Sequence, residues 1–322
     1  MNAPAHLRKL MHSILLNING PSAKSLLGFL LYIIVVWLCC VETAQAAEQS
    51  VNLAGMDVTV WSQEVVKGIK QPVIIFSHGF HGCATQSRFL MRAFASAGYI
   101  IFAPNHSDAT CNGGKAKWID RPEVPFRKAR MWSETSFRDR AEDIRRLIEA
   151  IRTDDRFRER VDWSRFGLAG HSLGGYTVLA LGGAWPGWRL SNVKAVLALS
   201  PYTKPFLLHG TLAGLSAPVM YQGGTWDYGV TPALHRSMGA YDRSSEPKYY
   251  VEFDRMGHFA WTDIGRRKAR KAIIAYSLTF MNYYVKGEPP APSLTQVLPG
   301  VALFRYASEL GNSGRSNRRL QD

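Results

Sequence analysis

The chain has 322 residues, of which 46% are hydrophobic and 20% are charged, and its formal net charge is +14. This length and apolar content can bury a sizeable core, which excludes a largely disordered chain and predicts one large α/β domain or two small ones. The basic residues are scattered, with no repeated basic-aromatic motif and no zinc-ligand spacing. The charge therefore indicates either solubility or attraction to anionic surfaces, and it argues against nucleic-acid binding.

Residues 1–46 have the pattern of a targeting segment. Basic residues precede an uncharged apolar run at 26–41, and an Ala-x-Ala site ends at Ala46. This pattern predicts a secretory signal peptide cleaved near Ala46, and hence a periplasmic or secreted protein. The alternative is an uncleaved anchor that attaches the protein to a membrane through residues 26–41. That run is shorter than the roughly 20 residues that cross a bilayer.

After a β-like start at 51–61, buried apolar runs alternate with amphipathic segments. The first run, 72–76, is bounded by turn formers, as expected for a strand that is buried on both faces. This alternation predicts an α/β fold, with a mostly parallel sheet, helices on both faces and ligand chemistry at the carboxyl ends of the strands. The predicted strands are 72–76, 99–103, 166–169, 193–199, 218–222 and 248–253, and the predicted helices are 85–97, 133–152, 176–181, 232–241 and 266–284.

Three segments fall outside this alternation. Residues 105–132 are polar and predict a long loop that shapes substrate access. Residues 201–215 are apolar but broken by Pro205 and Gly210, which suggests a small, flexible cap above the site, or alternatively a packed surface loop. We expect residues 47–285 to form the catalytic domain. The tail at 286–322, rich in Pro, Gly, Ser and Arg, is expected to be loosely docked and then disordered.

Two cysteines remain outside the N-terminal segment. Cys83 and Cys111 follow two successive predicted strands, so both are expected in loops at the same edge of the sheet. An exported protein meets a compartment that permits oxidation. The sequence therefore predicts a Cys83–Cys111 disulfide, the alternative being two small buried thiols.

The most informative motif is Gly170-His171-Ser172-Leu173-Gly174, which has the G-x-S-x-G spacing. It lies between a predicted strand and a predicted helix. This context is typical of a nucleophile elbow, in which a strained turn exposes the serine hydroxyl over the end of the sheet. Ser172 is therefore the candidate nucleophile.

A serine hydroxyl needs a base, and the base needs an acid that holds its tautomer and stabilises its positive charge. In the hydrolase arrangement the order along the chain is serine, acid, histidine. His258 follows the 248–253 strand and is favoured over His235, which lies in a predicted helix. Asp227 follows the 218–222 strand. It is favoured by position over three other carboxylates, which could be solvated surface groups: Asp242, Asp254 and Asp263.

Negative charge that develops on a carbonyl oxygen needs nearby donors, and backbone amides are their natural source. We expect one from Leu173, at the start of a helix, and one from Phe80, in the loop after the first buried strand. His78 is expected to brace that loop. His81, His106 and His171 do not have the spacing of metal ligands, so neither a metal nor a cofactor is expected. Trp226 and Trp261 flank the acid and the base in sequence and could line the acyl pocket or pack in the core.

With these residues in place, the sequence resembles the α/β-hydrolase superfamily, and within it the dienelactone-hydrolase-like and platelet-activating-factor-acetylhydrolase-like esterases. The resemblance implies the fold, a Ser172, Asp227 and His258 triad, and an acyl-enzyme mechanism. Dienelactone hydrolases carry a cysteine nucleophile where this chain has Ser172, which argues against lactone activity. Secreted cutinases look similar around 170–174, so this motif does not select the substrate. The pieces that carry the resemblance, within 71–284, are 76–80, 98–104, 165–175, 224–227 and 257–259.

The sequence thus predicts a serine hydrolase that cleaves a small-molecule carboxylic ester. The same residues could instead transfer the acyl group to an alcohol or thiol, or cleave a peptide. A hypothesis from another class is an envelope-associated binding protein that kept the fold and lost activity.

Overall fold

The structure is a computed structural model that describes residues 46–64, 68–111 and 126–312. The predicted signal peptide, or anchor, lies outside these residues except for Ala46. Within the described part, no helix is both long enough and apolar enough to cross a membrane.

A ten-stranded sheet forms the centre of the described chain, in the order β1-β2-β4-β3-β5-β6-β7-β8-β9-β10. The six strands from β4 to β8 in this order are parallel, and the pairs at both edges are antiparallel. This confirms the predicted mostly parallel sheet. The strands are β1 (Ala47–Leu53), β2 (Met56–Ser62), β3 (Gln71–Ser77), β4 (Ile100–Pro104), β5 (Val161–His171), β6 (Val193–Leu199), β7 (Val219–Gly224), β8 (Lys248–Phe253), β9 (Val301–Ser308) and β10 (Gly311–Asn312).

Helices cover both faces of the sheet because the central strands are apolar on both sides. On one face, Leu90 and Phe94 of α1 and Phe280 of α7 pack with Ile74 and Ile101. The other face carries α2 and α3. The α-helices are α1 (Arg88–Ser96), α2 (Arg138–Thr153), α3 (Leu173–Leu179), α4 (Lys204–His209), α5 (Pro232–His235), α6 (Ala240–Arg243) and α7 (Arg270–Met281).

The strand order places the candidate site. β4 lies on one side of β3 and β5 on the other, so the direction of winding changes between β3 and β5. In open α/β sheets the crevice at the carboxyl ends of strands at such a switch point is where ligands bind. The loop after β3 contains His78 to Phe80, and the residue after β5 is Ser172.

The expected loose tail was wrong for residues 301–312. β9 pairs with β8 in antiparallel register, and Val301, Phe304 and Ala307 are buried. Pairing with β8 satisfies the backbone hydrogen-bonding groups of this segment. In the sequence, the Pro-rich stretch at 289–292 that precedes it favoured a loop instead of a strand. The last ten residues lie outside the described part.

Two further expectations differ in detail. The helix predicted at 232–241 is divided into α5 and α6, and Met238 between them has a φ of +58°. In the predicted cap at 201–215, α4 buries Phe206, whose ring stacks on Tyr176 at 4.8 Å. This segment is therefore the packed loop rather than a flexible cap, because most of its apolar residues are buried.

Candidate active site

Ser172 occupies a sharp turn between β5 and α3. Its φ is 57° and its ψ is −116°, a strained conformation for a residue with a side chain. Two glycines make this turn possible. A Cβ on Gly174 would overlap the Ser77 carbonyl, and one on Gly170 would overlap the Gly174 carbonyl. The geometry is that of the nucleophile elbow predicted from the sequence.

Asp227 and His258 approach Ser172 from the loops after β7 and β8. The Ser172 Oγ lies 2.8 Å from the Nε2 of His258, and the Nδ1 of His258 lies 3.2 Å from the Oδ2 of Asp227. Asp227 is buried, whereas His258 is partly exposed. The structure thus brings together the three side chains that the sequence analysis selected.

The alternative residues are engaged elsewhere. Asp242 pairs with Arg305 at 2.8 Å, and Asp254 pairs with Arg255 at 2.9 Å. Asp263 accepts a hydrogen bond from the backbone N–H of Arg88. His235 stacks on Tyr250, with ring centroids 5.9 Å apart.

Sequence reasoning missed Ser200, which directly follows β6. Its hydroxyl donates to Asp227 Oδ2 and lies 2.9 Å from the Nδ1 of His258. Ser200 is fully buried and has a φ of +44°, and its backbone N–H donates to the Gln222 carbonyl at 2.7 Å. Its position in the sequence could have indicated this role. Ser200 is a polar residue at the carboxyl end of a buried strand, and that strand lies between the two strands that precede Ser172 and Asp227.

A second missed feature is a chain of hydrogen bonds from the loop after β3 to the candidate base. The N–H of Gly79 donates to Gln86 Oε1 at 3.1 Å, and Gln86 Nε2 lies 3.2 Å from His171 Nδ1. His171 Nε2 lies 2.8 Å from the His258 carbonyl. Burial, together with the nearby His258, lowers the pKa of His171 to about 3, so the ring is neutral. Only the tautomer protonated at Nε2 satisfies both contacts.

The two expected oxyanion donors flank the nucleophile. Leu173 is the first residue of α3, and the first amides of a helix have no partner within it. Phe80 lines the same cavity as Ser172. A Cβ on Gly79 would lie 3.4 Å from the Cβ of Ser172, so the loop after β3 runs directly against the nucleophile.

This loop rests on a buried ion pair. Arg140 of α2 is fully buried and donates to the carbonyls of His78 at 2.7 Å and Gly79 at 3.2 Å. It also binds both carboxylate oxygens of Asp108, whose Oδ2 accepts the N–H of His81 at 3.1 Å. Burial raises the pKa of Asp108, but Arg140, together with His78 and His106, outweighs burial, and the pKa is lowered. In the sequence Arg140 has the pattern of a solvated charge on an amphipathic helix, whereas in the structure it is fully buried.

Two buried histidines complete the support. The N–H of His106 donates to His78 Nε2 at 3.0 Å, so His78 braces the loop as expected. His106 Nε2 lies 2.9 Å from Ser77 Oγ, and its Nδ1 lies 2.9 Å from Asp143 Oδ2. Burial and the Arg140 charge lower the pKa of both histidines, His78 by more.

We expect the free energy of unfolding to fall as the pH drops below about 6.5, the ordinary pKa of histidine. His78, His106 and His171 have lowered pKa values in the fold and stay neutral, whereas the unfolded chain takes up a proton at each. Stability is therefore full above the unfolded pKa and is lost as the pH falls towards the folded values. Each group contributes up to about 1.4 kcal/mol per pH unit.

Urea unfolding at a series of pH values between neutral and about 5 measures this slope. A His171→Gln variant removes one of the three groups, and its slope should be shallower. Asp108 does not contribute in this range, because its unfolded pKa is near 3.9. A stability that is constant across the range would contradict the assignment of neutral buried histidines.

A cavity of about 900 Å³ opens beside Ser172 and His258. Neither Trp226 nor Trp261 lines it, which corrects the pocket expectation. Trp261 is fully buried and its Nε1 donates to Gln222 Oε1 at 2.8 Å, whereas the exposed Trp226 ring lies under the Arg266 guanidinium at 4.6 Å. The cavity walls instead carry several apolar side chains: Phe80, Phe126, Tyr202, Val230, Phe259 and Ile264.

Cys83 and Cys111 form a disulfide with Cα atoms 5.9 Å apart, as predicted. The bridge joins the loop after β3 to the loop after β4. Because Cys83 also lines the cavity, the disulfide holds one wall of the site.

A nucleophile elbow between a central strand and the following helix, in a sheet with this topology, is the arrangement of α/β hydrolases. The chain has that fold. Comparison with known proteins indicates which α/β hydrolases the chain is similar to.

The family model for platelet-activating factor acetylhydrolase, isoform II, matches residues 41–153, about a third of the chain. Cutinase est2 and Cutinase est1, both of Thermobifida alba, are each 24% identical over 216 residues, which is 66% of this chain. The chain spans 59% and 60% of the lengths of these two proteins. The chain thus has the α/β-hydrolase fold, and its sequence is similar to these esterases.

Proposed function

We propose that this protein is a serine hydrolase that cleaves carboxylic esters through an acyl-enzyme intermediate. The observation that carries the proposal is the 2.8 Å contact between Ser172 Oγ and His258 Nε2 at the mouth of a largely apolar cavity. The similarity to an acetylhydrolase family and to cutinases supports an ester as the substrate. The Cys83–Cys111 bridge supports an oxidising compartment, and hence export, because such bridges persist outside the reducing cytosol.

In the first half of the reaction, His258 accepts the Ser172 proton through Nε2 as the serine oxygen attacks the ester carbonyl. Asp227 stabilises the imidazolium that forms, through the contact at Nδ1. The amides of Leu173 and Phe80 donate to the developing oxyanion, and His258 then protonates the departing alcohol. In the second half, His258 activates a water that releases the acid.

A panel of p-nitrophenyl esters of increasing acyl length, assayed on purified protein, tests the activity and reports the acyl preference. A fluorophosphonate should label the protein at Ser172, located by peptide mass spectrometry. Labelling confined to any other residue, or turnover of peptides with none of the esters, would contradict the proposal.

Ser200 has a positioning role in this mechanism. Its hydroxyl accepts from the Nδ1–H of His258 and donates to Asp227, which favours the tautomer with a free Nε2. We expect Ser200→Ala to lower kcat by about 10- to 100-fold with little change in KM, because one hydrogen bond that orients the base is lost. Ser200→Thr keeps the hydroxyl and should restore part of the rate.

The matched control is Ser244→Ala, since Ser244 is another buried serine whose Oγ lies 2.7 Å from the Tyr221 hydroxyl. Both alanine variants should lose a similar amount of stability in thermal unfolding, and only Ser200→Ala should lose kcat. An equal loss of kcat in the two variants would assign Ser200 a purely structural role.

A further inference from the structure

Exposed apolar side chains cluster at the edge of the cavity. Ile264 is 85% exposed, Tyr228 76% and Phe259 57%, and Ile264 and Phe259 line the cavity itself. Tyr228 directly follows Asp227. Exposed apolar residues scattered singly need no explanation, but a group around one opening is typical of a binding surface.

A run of cations adjoins this group. Residues 266–271 read Arg-Arg-Lys-Ala-Arg-Lys and lead into the first turn of α7, which contains no acidic residue. The amino end of a helix carries a partial positive charge, so cations there are unfavourable for folding. Arg266 and Arg270 contact the Trp226 ring and Asp263. Arg267, Lys268 and Lys271 gain no ion pair among the described residues, which points to a role outside the fold for these three.

Arg266 connects the run of cations to the apolar group. The Arg266 guanidinium lies over the Trp226 ring, and the backbone N–H of Trp226 donates to the Met256 carbonyl in the His258 loop. We call this the rim surface, and it comprises Trp226, Tyr228, Phe259, Ile264, Arg266, Arg267, Lys268 and Lys271.

Most of its positive charge is uncompensated. Two carboxylates lie nearby, but Asp254 pairs with Arg255, and Asp263 lies 3.8 Å from Arg270. Arg267, Lys268 and Lys271 are exposed, and no ion pair to them is found among the residues that the structure describes.

We propose that the rim surface binds the surface of an anionic phospholipid membrane, with the cavity mouth facing the lipid. Apolar side chains enter the interfacial region, while flanking cations are attracted to the lipid phosphates. Each cation near an anionic leaflet strengthens binding roughly fivefold. A nucleic acid would also attract the cations, but it would not explain an exposed aliphatic side chain such as Ile264. Binding of this kind does not depend on the proposed ester hydrolysis.

The test is sedimentation of the full chain with vesicles of phosphatidylcholine alone and of phosphatidylcholine mixed with phosphatidylglycerol. The wild type should bind the mixed vesicles more tightly, and added salt should weaken that binding. The variant Arg267→Glu/Lys268→Glu/Lys271→Glu should bind them at least roughly 100-fold more weakly. It should unfold at the same temperature or higher, because acidic residues suit this helix end.

The matched control is Lys70→Glu/Arg189→Glu/Lys194→Glu. It makes the same change in net charge at exposed positions near the amino ends of β3 and β6, away from the cavity. This variant should keep binding within a few fold of the wild type. Ile264→Ser should also weaken binding, which separates membrane insertion from simple charge attraction.

Three results would overturn the proposal. If both triple variants lose binding equally, net charge alone is responsible. If the wild type binds neutral and anionic vesicles alike, the rim cations play no part and another segment, such as residues 26–41, is responsible. If single-stranded DNA binds the chain more tightly than the vesicles and Ile264→Ser changes nothing, the partner is a nucleic acid.

Discussion

Replacing Ser172 with alanine should lower kcat for a p-nitrophenyl ester by roughly 10⁴- to 10⁶-fold, because the covalent route through the acyl-enzyme is lost. The oxyanion donors and the cavity remain, so a small residual rate above the uncatalysed reaction is expected. Labelling by a fluorophosphonate should disappear. Rates measured on purified protein over a wide range of enzyme concentration cover this span.

Folding should be affected little. Within the described part of the chain, the Ser172 side chain makes one hydrogen bond, with the partly exposed His258, and alanine accepts the same backbone with similar strain. Thermal unfolding of Ser172→Ala within a few degrees of the wild type therefore serves as its control. If labelling or turnover persists at another residue, that residue is the nucleophile and the proposed mechanism is wrong.

The second large effect is expected at Arg140. In Arg140→Met, Asp108 would remain buried without its partner, and the carbonyls of His78 and Gly79 would lose their donor. Breaking a buried ion pair by removing one partner typically costs about 3–5 kcal/mol. Chemical denaturation should show a loss of this size, and kcat should also fall because Phe80 lies in the loop that Arg140 holds.

Two further variants sharpen this result. Arg146 lies on the same helix but is 59% exposed and pairs with Asp143, so Arg146→Met should cost less than about 1 kcal/mol. Adding Asp108→Asn to Arg140→Met removes the unpaired charge while an oxygen still faces the His81 N–H, and part of the stability should return. Equal losses in Arg140→Met and Arg146→Met would show that the buried pair has no special role.

The sequence predicts the parts of this molecule that local pattern controls. β6 and β8 have the predicted bounds, because each is a mainly apolar run between turn formers. Ser172, Asp227 and His258 were selected from one spacing and from their places after strands. Their mutual distances then follow from the sheet, which brings the carboxyl ends of β5, β7 and β8 to one edge.

Other parts depend on contacts between distant segments. Arg140 has the pattern of a solvated helix charge until β3 and the loop after β4 place Asp108 and two carbonyls around it. Ser200 is an ordinary serine until its neighbours supply an imidazole and a carboxylate. β9 depends on an open edge of β8 that no local pattern reveals. Each of these three features depends on contacts with residues that are distant in sequence.

The hydrogen-bond chain from Gly79 through Gln86 and His171 to the His258 carbonyl has a consequence for how the site responds to change. Because His171 is neutral and satisfies both neighbours in one tautomer only, the chain has a single direction of donation. The loop that should bind the oxyanion and the loop that carries the base are therefore energetically coupled. Substitutions in the two loops should be non-additive, and a double-mutant cycle across Gln86 and His171 would measure that coupling free energy.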